Sequence, residues 1–252
     1  GMALKLARRV TGKQKVISVQ GSFHGASLDA IAVGGEEQFR KYMGQFFPET
    51  LFIPQADMYR NGPEQELQYA ALLDELLTHN NDVGAFIAET IRNTDVQIPS
   101  VEYWKRIREI CDRHQVLLIL DEIPIAFGRT GSLFAFDDYG IVPDILCLGK
   151  GLGAGAFPIA AMVTKDAYNI AGEISLGHYT HEKSPLGAAA ALAMIEYTIG
   201  QQLIKKVNED ESFFRNELLL LKNEFSLIGD IRGKGLLWGV ELVKDPLTKE
   251  RA

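Results

Sequence analysis

The stretch Leu-Leu-Ile-Leu-Asp, residues 117–121, and the stretch Ile-Leu-Cys-Leu-Gly-Lys, residues 145–150, decide the fold. Each contains an apolar run of four residues, which is too short for a helix. Such runs are typical of strands buried on both faces of a parallel sheet. Ligands bind outside the carboxyl ends of parallel strands, so we expect Asp121 and Lys150 to lie at one site.

An acid and an amine held together at such a site suit one cofactor, pyridoxal 5'-phosphate (PLP). This cofactor needs a lysine to form its imine and a carboxylate to keep its pyridine nitrogen protonated as an electron sink. An ordinary ion pair between Asp121 and Lys150 is the alternative, because strand-ending acids and lysines are common in α/β proteins. The residues around the two positions distinguish these interpretations.

Three surrounding segments carry a family resemblance. They are Asp-Glu-Ile-Pro-Ile-Ala-Phe-Gly-Arg-Thr-Gly at 121–131, Pro-Asp-Ile at 143–145 and Lys-Gly-Leu-Gly-Ala-Gly-Ala-Phe-Pro at 150–158. Over nearly all of its 252 residues the chain resembles the class III (omega-type) PLP-dependent aminotransferases. The resemblance implies a fold type I transferase, with a three-layer α/β/α large domain built on a mostly parallel sheet. It also implies that Asp121 pairs with the pyridine nitrogen and that Lys150 carries the Schiff base.

Composition bounds the size and the partners of the protein. A chain of 252 residues with 46% hydrophobic content can bury a sizeable core, which suits one large α/β domain. The net charge of −7 argues against binding to nucleic acid or to anionic membranes, since those surfaces need clustered Lys and Arg. Two cysteines, no leader peptide and no apolar run of about 18 residues together predict a cytoplasmic protein without membrane spans.

Alternating helices and strands predict how the sheet is connected. Strands are predicted at 16–19 and 83–89, and an amphipathic helix is predicted at 101–114 with Ser100 as its N-cap. A strand, a helix and a further strand in this order indicate right-handed crossovers between parallel strands.

The resemblance also implies a domain organisation. Residues 1–225 are expected to form the PLP-binding large domain without its N-terminal part, and residues 226–252 to begin a truncated C-terminal small domain. The family's loop that binds the cofactor phosphate is expected to precede residue 1. Arg232 is not assigned to the family's substrate-carboxylate arginine, because that arginine comes later in the family's sequences.

Four further residues receive site roles from the resemblance. Phe23 is expected to stack on the pyridine ring with His24 as support, although a phenylalanine beside a glycine is also common in plain packing. Glu89 ends a predicted strand and is expected to line the cofactor site. Thr180 lies 30 residues after Lys150, where family members place a threonine that reaches the phosphate of the partner subunit's cofactor. The resemblance therefore implies a homodimer with a shared active site.

Two positions depart from the family pattern. The segment Glu-Thr-Ile-Arg-Asn-Thr-Asp at 89–95 keeps only Glu89, and the family's second acid aligns with Thr94. Arg92 in this loop either receives a carboxylate-bearing substrate or is an ordinary solvated arginine. Pro124 stands where relatives have a glutamine that contacts the cofactor's phenolic oxygen, so that contact is lost or replaced.

Two other chemistries are rejected on spacing. The glycine cluster at 149–155 lacks the Ser or Thr that follows the lysine of a P-loop, and it does not complete a dinucleotide-binding motif. Its small residues are better explained as clearance for the cofactor ring. His178 and His181 lack a third grouped ligand, so no metal site is predicted.

These observations favour an aminotransferase that moves an amino group between an amine or amino acid and a keto acid or aldehyde. The expected partners are therefore a small-molecule amino donor and a keto acceptor. An amino-acid racemase, epimerase or aminomutase on the same scaffold is the alternative, since the same Asp121 and Lys150 serve those reactions. The departures at Thr94 and Pro124 also leave a non-catalytic relative open.

Overall fold

The computed structural model describes residues 1–47, 49–170 and 174–252, and a six-stranded sheet forms its centre. The strands are β1 (Lys15–Val19), β2 (Thr50–Ile53), β3 (Val83–Glu89), β4 (Leu117–Asp121), β5 (Ile145–Leu148) and β6 (Ala161–Thr164). They lie in the order β2-β1-β3-β4-β5-β6, with β6 antiparallel to β5 and the other pairs parallel. The sheet is therefore mostly parallel, as predicted.

Helices pack on both faces of this sheet or extend beyond it. They are α1 (Met2–Thr11), α2 (Leu28–Val33), α3 (Glu37–Arg40), α4 (Met58–Asn61), α5 (Glu64–His79), α6 (Val101–His114), α7 (Pro185–Gly200) and α8 (Leu203–Glu224). The α6 helix begins where the sequence predicts, because the Ser100 hydroxyl accepts a hydrogen bond from the Tyr103 N–H at 3.0 Å.

The alternation of side chains along the strands creates two cores. Ile87 and Ile119 pack with Leu6 of α1 on one face of the sheet. Phe86, the neighbour of Ile87, packs with Ile107 of α6 on the other face. Successive strand residues point to opposite faces, so a sheet of almost continuous apolar residues needs a helical layer on each side. The predicted three-layer α/β/α architecture is confirmed.

The strand register brings the acidic strand ends to one edge. Glu89 of β3 is paired with Asp121 of β4, and Asp121 is in turn paired with Cys147 of β5. Lys150 follows β5 after one intervening residue beyond its end. The carboxyl ends of these three neighbouring strands therefore deliver Glu89, Asp121 and Lys150 to the same edge of the sheet.

A buried aspartate fixes the strand that leads to Lys150. The Asp144 carboxylate accepts hydrogen bonds from the Leu118 N–H and Arg108 at 2.9 Å each, and from Lys165 at 2.7 Å. Burial by itself would raise the pKa of Asp144, but these hydrogen bonds and the charge of Arg108 lower it overall. The charged side chain of Asp144, directly before β5, therefore links β5 to β4.

The last residues of the chain form a separate antiparallel sheet. Its strands, in spatial order, are β7 (Ile228–Lys234), β8 (Leu237–Asp245) and β9 (Glu250–Arg251). It follows α8 directly. Throughout the described ranges, no helix combines the length and the apolar character needed to cross a bilayer.

Candidate active site

A cleft opens at the carboxyl edge of β3, β4 and β5. It is lined by Phe23, His24, Gly25, Glu89, Asn93, Thr94, Asp121, Ile123, Pro124 and Lys150. Five of the residues to which the sequence assigned a site role therefore line one cleft, although they span 127 positions of the chain. Thr180 lies in an exposed turn and is not among the residues that line it.

Asp121 is held rigidly at the end of β4. Its Oδ2 lies 2.9 Å from His24 Nδ1, and its Oδ1 accepts a hydrogen bond from the Ile123 N–H at 3.1 Å. The side chains of Asp121 and His24 are both buried, with 6% and 2% of their surfaces exposed. A carboxylate has about four lone-pair positions, so two hydrogen bonds leave Asp121 able to accept another from a group in the cleft.

His24 adds a second sign that the cleft receives a polar group. Its other ring nitrogen, Nε2, is buried and has no hydrogen-bond partner among the described residues. An unpaired buried nitrogen costs free energy, and His24 lines the cleft. A polar atom bound in the cleft would therefore stabilise the arrangement.

Lys150 has an unusual backbone conformation. Its φ angle is +44°, in the left-handed region, at the first residue of a 3-10 turn that runs to Gly153. Residues held in such conformations cluster at functional sites, because the strain persists only where the surroundings impose it. Within the described part of the chain the Lys150 ammonium makes no hydrogen bond or ion pair. No other group of the described residues therefore holds the end of this side chain in place.

The small residues beside Lys150 also have a packing role. A Cβ on Gly149 would lie 3.3 Å from Ile123 Cγ2, and a Cβ on Gly153 would lie 3.2 Å from Ile159 Cγ2. Larger residues at these positions would press on neighbouring side chains. Close packing therefore explains Gly149 and Gly153, and clearance for a cofactor ring stays a prediction.

Glu89 braces two segments of the cleft wall. Its Oε1 accepts a hydrogen bond from the Phe23 N–H at 3.3 Å, and its Oε2 accepts one from the Asn93 N–H at 3.0 Å. Burial raises the pKa of Glu89 above its usual value, and these two hydrogen bonds oppose the rise. Glu89 therefore links the turn that carries Phe23 to the loop that carries Asn93.

Phe23 presents part of its ring to the cleft. About 38% of its surface is exposed, and its ring centroid lies 5.4 Å from that of Phe39 at an angle of 54°. The packing against Phe39 restrains the ring, and the exposed part remains available for contact with a bound molecule.

Of the two interpretations of Arg92 from the sequence, an ordinary solvated arginine does not fit the structure, and a contact with a carboxylate-bearing substrate stays a prediction. Its side chain does not line the cleft but lies against Gln55, with Nε 3.4 Å from Asp95 Oδ1. Its guanidinium also approaches Gly21 so closely that a Cβ there would lie 3.0 Å from Nη2. With 19% of its side chain exposed, Arg92 is packed against its neighbours, and it lines a second cavity together with Ser22 and Gln97.

Sequence reasoning missed Glu122, which orders the chain beyond the cleft. This side chain is fully buried and accepts hydrogen bonds from Thr90 Oγ1 at 2.9 Å and from the N–H groups of Ala135 and Phe136 at 2.8 Å each. Burial raises its pKa from 4.5 to about 7. The signal was present in the sequence, because period-2 alternation places Glu122 and Asp121 on opposite faces of the strand end. No group of three or more His, Cys, Asp or Glu side chains suited to a metal occurs within the described residues.

The chain has the α/β fold of the fold type I transaminases. The model of the family "Aminotransferase class-III" matches residues 1–252, and the chain belongs to that family. A solved taurine:2-oxoglutarate aminotransferase from Bifidobacterium kashiwanohense, in complex with PLP and glutamate, superposes with a TM-score of 0.94 at 27% identity. That match covers 99% of this chain and 59% of the other.

Curated relatives within the family have different reactions. The chain is 54% identical to the (R)-1-hydroxy-2-aminoethylphosphonate ammonia-lyase of Vibrio splendidus (strain 12B01), over all of this chain and 57% of that protein. It is 36% identical to the leucine/methionine racemase of Thermococcus litoralis, over 99% of this chain and 58% of that protein. The chain thus spans somewhat less than three fifths of the length of these relatives.

Proposed function

We propose that the protein binds PLP and that the whole protein is an aminotransferase. It moves an amino group between an amine or amino acid and a keto acid or aldehyde. The observation that carries the proposal is the meeting of Asp121, His24 and Lys150 in one cleft at the carboxyl edge of a parallel sheet. Family membership adds the reaction class.

PLP, when bound, supplies an electron sink for the carbon that bears the substrate's amino group. Asp121 would accept a hydrogen bond from the ring nitrogen and so would favour the protonated form of that nitrogen. His24 positions Asp121, because its Nδ1 holds one carboxylate oxygen in place at 2.9 Å. The chain's own residues therefore provide the charge that the electron sink requires.

Lys150 has two roles in the proposal. Its amine would hold the cofactor, and its Nζ would carry a proton during the reaction. Both roles need an amine that is not engaged elsewhere. The lack of a partner for the Lys150 ammonium among the described residues supports them.

The remaining cleft residues orient the cofactor. Phe23 would contact the cofactor, and Glu89 holds the Phe23 turn in place through the Phe23 N–H. Pro124 lines the cleft without a side-chain donor, so nothing at this position hydrogen-bonds the phenolic oxygen of the cofactor.

The role of Thr180 depends on the proposed homodimer. It would reach the phosphate of the cofactor in the partner subunit, which makes the active site shared. The α7 helix supports a dimer, because it is apolar on all sides yet exposes Leu186, Leu192, Tyr197 and Ile199. A helix of this kind is normally buried.

The same proposal includes the organisation and location of the protein. Residues 1–225 belong to the PLP-binding large domain and residues 226–252 begin the small domain. Both cysteines, Cys111 and Cys147, are free thiols. Free thiols suit a reducing compartment, and we therefore place the protein in the cytoplasm.

An ammonia-lyase is the second candidate, favoured by the 54% identity with the Vibrio protein. A lyase releases ammonia and needs no keto acceptor, whereas an aminotransferase retains the amino group on the cofactor. The replacements at Thr94 and Pro124 lie in the cleft and bear on this choice, because they remove an acid and a donor that the family pattern contains.

The test uses the whole protein loaded with PLP and mixed with an amino donor alone. Amino acids, primary amines and aminoethylphosphonates serve as the donors. An aminotransferase forms about one equivalent of pyridoxamine phosphate and of keto product, and then stops until a keto acid is added. Continuous release of ammonia without pyridoxamine phosphate would overturn the proposal in favour of the lyase, and inversion of a chiral donor would do so in favour of the racemase.

A further inference from the structure

The loop between β3 and α6 forms one wall of the cleft. Asn93 and Thr94 line the cleft, and the Asn93 N–H is bound to Glu89 at 3.0 Å. The Arg92 N–H donates to the Gln97 carbonyl at 3.1 Å, which closes the four intervening residues into a tight tip. The position of this tip therefore determines the shape of the wall.

Val96 is strained at the base of the tip. Its φ angle is +53°, in the left-handed region, and a β-branched residue there is a genuine outlier. Val96 is also 95% buried and packs so closely on Gly239 of β8 that a Cβ on that glycine would lie 3.0 Å from Val96 Cβ. Such a conformation persists only when neighbouring groups impose it.

Arg232 of β7 supplies that restraint. Its Nε donates to the Asp95 carbonyl at 2.9 Å and to the Val96 carbonyl at 3.0 Å, and its Nη2 donates to the Asp95 carbonyl at 2.5 Å. One guanidinium thus binds two successive carbonyl groups at the strained position. Hydrogen bonds from a charged donor are the stronger kind, and the planar fork fixes their direction.

Arg232 is itself fixed in orientation. Its Nη1 lies 2.9 Å from Asp230 and 2.8 Å from Glu241. Glu241 is almost completely buried and is also bound by Arg60 at 2.5 Å. The charge of Arg232 is therefore neutralised within the protein, and the edge that carries Nε and Nη2 faces the loop.

We infer that Arg232 is a positioning residue that holds Asn93 and Thr94 against the substrate side of the cleft. The hairpin of β7 and β8 therefore influences the affinity for the amino substrate, although it does not itself line the cleft. The wall that it positions is uncharged, so it meets a hydrogen-bonding group of the substrate. This inference rests on the proposed function, because that function makes the cleft the site for amino compounds.

The test compares Arg232→Gln with Arg251→Gln in the whole PLP-loaded protein. Arg251 is a matched control, because its Nε lies 3.4 Å from the same Glu241 and it makes no hydrogen bond to residues 93–96 within the described chain. Two quantities are measured: hydrogen exchange of the amides in 90–97, without substrate, and the Kd of an amino substrate from a titration of the cofactor absorbance.

Arg232→Gln should speed exchange in 90–97 and weaken the amino substrate about tenfold, equivalent to about 1.4 kcal/mol. The cofactor absorbance before substrate is added should be the same as in the wild type. Arg251→Gln should match the wild type in both measurements. Arg232→Lys should restore part of the affinity, since its ammonium can still donate to the Asp95 carbonyl.

Equal exchange or equal substrate affinity in the Arg232→Gln and Arg251→Gln proteins would overturn the inference. If Arg232→Gln does not fold, Arg232→Lys is compared with Arg251→Gln instead; it keeps a cation beside Asp230 and Glu241 but loses the planar fork, so it should still show a smaller loss of affinity and faster exchange. A wild type that binds amino compounds without transaminating them would refute the proposed function, while both comparisons would still decide the role of Arg232.

Discussion

The Nδ1 atom of His24 lies 2.9 Å from Oδ2 of Asp121, although the two residues are 97 positions apart. Both side chains are buried, so this polar contact is protected from competing water. It joins the turn after β1 to the end of β4. The carboxylate therefore has a fixed direction before any ligand enters the cleft, which is the preorganisation that electrostatic catalysis requires.

Asp121→Asn should retain the cofactor far better than it retains turnover. Asparagine keeps the size of the side chain but removes the negative charge that favours a protonated ring nitrogen. Turnover should fall by about 100-fold or more, as expected when a preorganised electrostatic contact is lost. Steady-state kinetics and a PLP titration measure the two effects, and unchanged turnover would remove Asp121 from the mechanism.

Glu122→Gln should change how stability depends on pH. Because burial raises the pKa of Glu122 from 4.5 to about 7, the folded state binds this proton more tightly than the unfolded chain. The contribution of Glu122 to the free energy of unfolding should therefore fall by roughly 3 kcal/mol as the pH rises from about 4.5 to about 7, and then level off.

Urea unfolding at several pH values measures this effect. Glutamine has no proton to lose, so the stability advantage of the wild type over Glu122→Gln should shrink between pH 5 and pH 7. A difference that stays constant over this range would show that Glu122 does not titrate there.

Gly35→Ala should destabilise the turn that carries Phe23 and His24. A Cβ on Gly35 would lie 2.3 Å from the Gly21 nitrogen and 2.6 Å from the Val19 carbonyl oxygen, and backbone atoms cannot move aside cheaply. We expect a loss of about 1–3 kcal/mol in the free energy of unfolding.

Gly200→Ala is the matched control for that substitution. Gly200 ends α7, and a Cβ there would meet nothing within 4 Å. Thermal or urea unfolding of both variants should show a clear loss for Gly35→Ala alone. Equal stability of the two proteins would contradict the close approach of the chain at Gly35.

Leu192→Glu should weaken the proposed homodimer. Leu192 is 57% exposed on the apolar α7, and a carboxylate in its place cannot be buried cheaply at an interface. Leu247→Glu, at a fully exposed turn between β8 and β9, is the control. Sedimentation equilibrium should show a higher dissociation constant for Leu192→Glu only, and a monomeric wild type would refute the shared site.

Local sequence patterns were enough to predict the strands and the helix that position the cleft. The apolar runs before Asp121 and Lys150 are strands, and the helix predicted at 101–114 has those bounds in the structure. These features depend on residues close in sequence, whose periodicity and capping are visible directly. The convergence of Asp121 and Lys150 follows from the general geometry of parallel sheets.

The contacts of Arg92 and Arg232 could not be predicted from local sequence patterns. Arg92 lies against Gln55, 37 positions away, and Arg232 binds the carbonyls of Asp95 and Val96, more than 130 positions away. Such contacts depend on how distant loops pack, which no local pattern encodes. The strained φ of Val96 is likewise a product of those contacts.

Borohydride trapping identifies the lysine to which PLP is attached, which we propose to be Lys150. The whole protein is loaded with PLP, reduced with borohydride and digested, and the modified lysine is identified by mass spectrometry. We expect a pyridoxyl group on Lys150, its loss in Lys150→Ala, and unchanged labelling in the exposed control Lys183→Ala. Reduction that labels a different lysine, or labelling that persists in Lys150→Ala, would show that Lys150 does not hold the cofactor.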